Sequence, residues 1–289
     1  MKIRWVHYLM VSPVQLLVLL VIFVPSVWVI WLSLLEYSYG TEAKFVGLRN
    51  YIFIATDPTF WRAFLNTFII VNVVVYGELA IAMGIAVLFA GGVPFRRMMI
   101  SIVLMPYAIS PVIAVIIWRY LLEPERGIVQ LLLLSMGLPE IEWTINPVHA
   151  MSVIILLSLW LHIPFTFIIL YTSILAIPEE LYEAAKIDGA GALQEFWHIT
   201  LPTLVPAMLV ALLFRYIFAF RIFSEVWLLT EGGPVRTTEV LALFLYRYGF
   251  RYHELGVASA TGWAMVLASL IIATFYLRQM YKRMFSNET

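Results

Sequence analysis

The chain has no cysteine. That excludes disulfides, thiolate metal ligands and a cysteine nucleophile. It is also poor in charge: Asp, Glu, Lys and Arg make up 12% of its 289 residues, against about 25% in an ordinary soluble domain. A water-facing surface cannot be assembled from so few charges. The 18 basic and 18 acidic residues balance to zero, so nothing in the charge invites nucleic acid. The five histidines, His7, His149, His162, His198 and His253, show no metal-ligand spacing. There is no G-x-x-x-x-G-K-S/T pattern, so the chain carries no P-loop. No Ser-His-Asp arrangement is suggested, and there is no low-complexity segment or internal repeat.

What is present is apolar: 63% of residues are hydrophobic and 15% aromatic. A membrane helix needs about 20 such residues. The runs Tyr8–Leu35, Met98–Trp118, Trp143–Pro178 and Leu255–Leu277 contain no Lys, Arg, Asp or Glu. Two more runs hold internal charges, one broken by Glu78 and the other by Arg215, Arg221 and Glu225. The reading is all-α, a polytopic membrane protein with six helical spans, at about 10–35, 63–90, 98–122, 147–175, 203–229 and 256–281. These form a single transmembrane domain over residues 1–289. The start, MKIRWVHYLM, is basic and then apolar, but the apolar run is too long for a signal peptide and reads as an uncleaved first span.

An even number of spans puts both termini on one side. The tail side then carries Lys2, Arg4, Arg96, Arg97, Lys186, Arg278, Lys282 and Arg283. The other side carries Lys44, Arg49, Arg62, Arg126, Arg236, Arg247 and Arg251. The count nearly ties. The clusters Arg96/Arg97 and Arg278/Lys282/Arg283 favour cytoplasmic tails.

Between the fourth and fifth runs stands a polar stretch, PEELYEAAKIDGAGALQEFWHITLPTLVPA, residues 178–207. Pro178 suits a first helical position, and Glu179, Glu180 and Glu183 suit the positive end of a helix dipole. Asp188-Gly189 makes a turn. A second short helix is expected over about 192–199, with Pro202 opening the next span. Small residues at Ala184, Ala185 and Gly189 let another backbone approach. Leu181, Tyr182, Ile187, Phe196 and Trp197 offer an apolar face. So short a helix is marginal by itself. An acidic front argues against a simple lipid-surface helix, which favours Lys and Arg.

Glu183-Ala184-Ala185, three residues, Gly189, nine residues, Ile199, one residue and Leu201-Pro202 resemble the EAA motif of ABC importer permeases. The resemblance implies a type I importer permease fold. It implies a cytoplasmic loop over about 178–202 that docks into an ATPase subunit, with Glu183, Ala184, Ala185, Asp188, Gly189, Ile199, Leu201 and Pro202 as the coupling residues. ATP and magnesium would bind that partner and no cofactor this chain. The stretches Leu229-Thr230-Glu231-Gly232-Gly233-Pro234, Thr237-Thr238-Glu239, Tyr246-Arg247-Tyr248-Gly249-Phe250 and Phe45-Val46-Gly47-Leu48-Arg49-Asn50-Tyr51 resemble the external loops of maltose- and trehalose-type carbohydrate permeases, with Arg49 where Asp is usual.

By that likeness the chain is a permease subunit of a sugar importer in a bacterial or archaeal cytoplasmic membrane, not an enzyme, working by alternating access. It implies a second homologous permease, two ATPase subunits or a homodimer of one, and an extracytoplasmic sugar-binding protein. Glycerol phosphate esters are the alternative cargo, and an ion-coupled secondary transporter using Glu78 and Arg221 the alternative class.

Ionisable residues inside spans face cavities or partners. Glu78, Arg221 and Glu225 are therefore candidates for the substrate pathway, the alternative being an internal ion-pair network that fixes helix packing. Arg221 and Glu225, four residues apart, are placed to pair on one helix. Aromatic faces stack on sugar rings, and in carbohydrate permeases the Trp-bearing segment of the fourth span contributes to the sugar site. This adds Trp160, His162 and Phe165, with His162 standing where a small residue is expected. Ala80/Gly84, Gly256/Ala260 and Ala258/Gly262 are small-residue pairs suited to close helix contact.

Overall fold

A computed structural model describes residues 5–285, the backbone alone for 5–7 and 283–285. Lys2 and Arg4, which entered the charge count, lie outside the described residues. In lipid each backbone polar group must be satisfied within its own segment, and long apolar runs become helices.

In chain order, α1 (Trp5–Val18) passes through a π-type turn at Leu19–Phe23 into α2 (Val24–Ser33). Two short strands not foreseen from the sequence follow, β1 (Leu35–Glu36) and β2 (Lys44–Phe45), then α3 (Arg49–Thr56). Next come α4 (Pro58–Ala90), α5 (Arg96–Leu104), α6 (Pro111–Leu121) and α7 (Ile128–Ser135). The second half has α8 (Pro147–Leu175), α9 (Glu179–Ile187), α10 (Ala192–Glu195), α11 (Leu201–Ala219) and α12 (Ser224–Thr230). It closes with α13 (Leu241–Tyr246) and α14 (Leu255–Phe285).

Among the described residues, five helices are individually long and apolar enough to cross a membrane, and six spans result if the bent pair α5–α6 is one of them. That pair corrects the expected continuous span at 98–122. The chain turns by 101° between residues 96–108 and 111–121. Pro106 sits in the tight turn Met105–Ala108, and Pro111 opens α6. A residue before proline is steered out of the helical region, and Ile109 and Ser110 are extended, with ψ of 135° and 136°.

The expected span at 203–229 is corrected at both ends. Helical structure runs without interruption from Ala192 to Ala219, because a π-type turn at Phe196–Thr200 joins α10 to α11. Leu201 N–H reaches back to Phe196 O, five residues away. The helix therefore absorbs Pro202, which lacks an N–H of its own, and no separate helix ends at 199. At the other end the helix stops at Ala219, and α12 begins at Ser224. Arg221 and Ile222 donate to Phe218 and Ala219, the three-residue closure of a tightening last turn. The local signal for this break is a stretch rich in aromatic and β-branched residues, 216–223, where only Ala219 and Arg221 are of another kind.

The chain forms two compact units. One comprises the residues up to Trp61 with Phe244–Val266. Its hub is Asn50, whose side-chain amide donates to Ser33 O and Leu35 O at 2.8 Å each. Gly256 packs directly against the Leu35 carbonyl, where a Cβ would collide. Leu35 pairs with Phe45 and Glu36 with Lys44 in the strand ladder. Phe244 meets Phe60 edge-on and Tyr248 at 4.5 Å.

The other unit comprises Arg62–Leu243 and the chain from Leu267. Ala82, Ala86 and Phe89 of α4 interlock with Phe167, Leu170 and Ile174 of α8 and with Leu204 of α11. A second cluster joins Val71 and Val75 to Leu212, Tyr216, Phe220 and Tyr276. Tyr216 donates to Asn72 Oδ1 at 2.6 Å, and the hydroxyls of Tyr76 and Tyr276 bond at 2.9 Å. Gly84 has open space around it, so the Ala80/Gly84 pair makes no close contact within the chain.

Candidate functional site

The polar stretch folds as a helix, a turn and the start of a longer helix. α9 ends in a Schellman motif: Ala190 N–H donates to Ala185 O at 2.8 Å and Gly189 N–H to Lys186 O at 3.0 Å. Gly189 sits at φ +79°, a conformation that costs any side chain. Glu183, Ala184, Asp188, Gly189 and Pro202 are exposed, and Ala185, Ile199 and Leu201 are half-buried. Glu183 projects free of side-chain bonds among the described residues.

The apolar face is smaller than the sequence suggests. Leu181, Ile187, Leu193 and Trp197 are exposed. Tyr182 instead turns inward and bonds Thr200 at 2.9 Å, and Phe196 packs against the α4–α8 core. Behind the stretch lies a cavity of about 480 Å³. Val87 and Ala90 of α4 and Ile174 of α8 wall one side, and Tyr182, Phe196 and Thr200 the other.

A second cavity, of about 150 Å³, lies among α4, α8, α11 and α12. Its polar lining is Ser158, His162, Arg215, Arg221, Ser224 and Glu225. Ser158 and His162 are one helical turn apart and share a face. His162 Nε2 lies 3.5 Å from Glu225 Oε1. The expected Arg221–Glu225 pair is not formed. Arg221 falls in the break after α11, so the two residues no longer share a helix. Arg221 is exposed, with no ion pair among the described residues.

Trp160 and Phe165 lie beside this cavity without lining it. Trp160, two residues from His162 and so on another face, packs against Trp118, and Phe165 packs against Tyr107 and Phe218. Glu78 sits behind the cavity, fully buried. Its Oε1 accepts from Arg215 Nε at 2.5 Å and from Thr166 at 3.0 Å. Arg215 Nη2, Glu78 Oε2 and Ser158 Oγ are buried without a hydrogen-bond partner among the described residues.

Sequence reasoning left Ser158 and Arg215 out of the site. Ser158 was within reach of the helical i, i+4 rule applied to His162; Arg215 was not, because its partner lies 137 positions away.

The loop after α12 is held just as firmly. Asn66 donates to Thr237 O and Glu239 O at 2.8 and 2.9 Å. Thr230 and Thr238 bond at 2.9 Å, and Arg236 grips the buried Glu239 carboxylate through two bonds. Among the described residues no group of His, Asp and Glu is arranged to hold a metal ion.

Long apolar helices, a polar cavity at their breaks and a surface helix–turn–helix define the membrane part of a transporter. Residues 8–285 match the family described as binding-protein-dependent transport system inner membrane component. The chain belongs to that family.

It is 33% identical to the sulfoquinovosyl glycerol transport system permease protein of Agrobacterium fabrum, covering 95% of this chain and 90% of that one. It is 32% identical to the trehalose/maltose transport system permease protein of Thermococcus litoralis, covering 94% and 92%. It is likewise 32% identical to the sn-glycerol-3-phosphate transport system permease protein of Shigella flexneri, covering 93% and 91%. A chain of a bacterial alginate ABC transporter, solved with an alginate pentasaccharide-bound periplasmic protein, superposes with a TM-score of 0.83 at 25% identity, covering 94% and 92%.

Proposed function

We propose that the chain is one permease subunit of an ATP-driven importer of oligo- or disaccharides. The carrying observation is the unbroken helix from Ala192 to Ala219, which joins the surface stretch to the polar cavity. The Ser158, His162, Arg215, Arg221 and Glu225 side chains present donors and acceptors for hydroxyl groups along the pathway, with Trp160 and Phe165 behind them. Glu78 holds Arg215. The relatives' names support a sugar as cargo, as do the residues that resemble carbohydrate permease loops.

Glu183, Ala184, Ala185, Asp188, Gly189, Ile199, Leu201 and Pro202 form the surface that an ATPase subunit grips, so this stretch and both termini face the cytoplasm. ATP and magnesium bind on that subunit. A second permease completes the pathway, and a loaded external binding protein docks opposite. Closure of the ATPase pair moves the surface stretch, and the cavity changes the side to which it opens.

Reconstitution with the ATPase, the second permease and the binding protein tests this. Glu183→Ala should leave the membrane assembly intact and lower sugar uptake and transport-linked ATP hydrolysis together. Wild-type uptake by that variant would refute the assignment. A glycerol phosphate ester is a second reading. It is favoured by Arg221, a cation at the cavity with no acidic partner among the described residues. The ligand of the binding protein decides between the two.

A further inference from the structure

We infer that the Tyr182–Thr200 hydrogen bond is the tie through which a push on α9 enters α11, and that it stays made throughout the transport cycle; this rests on the coupling role proposed above. The two sides of α9 differ. Toward α4 and α8 there is the cavity of about 480 Å³, so that side offers room rather than contact. Toward α11 there is a hydrogen bond of 2.9 Å to Thr200, itself only 6% exposed.

Thr200 stands in the π-type turn and its helix continues unbroken to Ala219. At 1.5 Å per residue, Arg215 lies about 22 Å further along the same rod. A displacement of α9 is therefore passed along one continuous helix toward the Glu78–Arg215 pair and the break at residues 220–223. The Schellman turn at Gly189 closes the other connection between α9 and α10. Tyr182 acts by positioning, through the hydrogen bond of its hydroxyl to Thr200.

Tyr182→Phe and Thr200→Val each remove one hydroxyl at nearly constant volume. In the reconstituted full complex both should bind the ATPase and hydrolyse ATP as before. Sugar moved per ATP should fall about fivefold, the weight of one neutral hydrogen bond. The double variant should fall no further than either single one. Unchanged uptake per ATP in the single variants overturns the inference. So does a proportional loss of ATPase binding and uptake, which marks a merely structural role.

The chain has no cysteine, so a Tyr182→Cys/Thr200→Cys pair supplies its only thiols. Residues that meet through a tyrosine hydroxyl stand too far apart for a direct disulfide, so the two thiols are joined with a bifunctional thiol reagent about as long as the lost tyrosine side chain. That bridge should restore uptake per ATP, and a bridge that stops uptake overturns the inference. If the ATPase does not bind the wild-type complex at all, the functional reading fails instead. If Glu183→Ala lowers uptake and ATP hydrolysis together while Tyr182→Phe leaves uptake per ATP unchanged, only the tie fails.

Discussion

Arg215 on α11 and Glu78 on α4 meet at 2.5 Å although they are 137 residues apart, and both are buried. One carboxylate oxygen takes the guanidinium and the Thr166 hydroxyl, which joins three helices at a single atom. Removing one member of such a pair leaves an uncompensated charge. Glu78→Ala should therefore lower the stability of the purified complex by about 3–5 kcal/mol. The double change Glu78→Met/Arg215→Met should recover most of that loss in thermal unfolding in detergent.

Ser158 should behave in the opposite way. Its hydroxyl is buried without a partner among the described residues, so Ser158→Ala breaks no bond seen there and should leave the melting temperature unchanged or slightly raised. On the proposed pathway the same change should weaken sugar transport by about fivefold, the weight of one neutral hydrogen bond. Uptake kinetics and a melting curve on one preparation separate the two effects.

Gly256 has no room for a side chain. A methyl group there would drive into Leu35 O and the Asn50 amide. Gly256→Ala should cost about 1–3 kcal/mol, as overpacking does. A protease-resistance assay on the purified protein would register the loosening around β1.

Asn66 fixes the loop at Thr237 and Glu239 with two bonds. Asn66→Ala leaves two carbonyls unanswered, each worth about 1 kcal/mol. The expected outcome is weaker docking of the external binding protein with ATPase attachment unaltered, measured by surface-immobilised binding of each partner.

Much of this architecture was readable along the chain. The charge-free runs predicted most of the spans, since a backbone in lipid has few choices besides the helix. The spacing from Glu183 to Pro202 marked the surface stretch, and Gly189 was needed where the turn goes left-handed. The breaks were harder. Pro106 and Pro111 bracket the 101° bend, yet prolines at 164 and 206 sit inside continuous helices. Proline alone therefore does not say where a span divides. The helix after Ala219 ends with neither proline nor glycine at the break.

The sequence by itself determined which segments are helical and apolar, which stretch is polar, and the family to which the chain belongs, because these follow from local composition and spacing. Only the tertiary structure decided that Glu78 answers Arg215, that His162 rather than Arg221 faces Glu225, and that Tyr182 points inward. Those choices depend on which faces of distant helices meet, and a buried charge takes the partner that packing brings within reach rather than the one nearest along the chain.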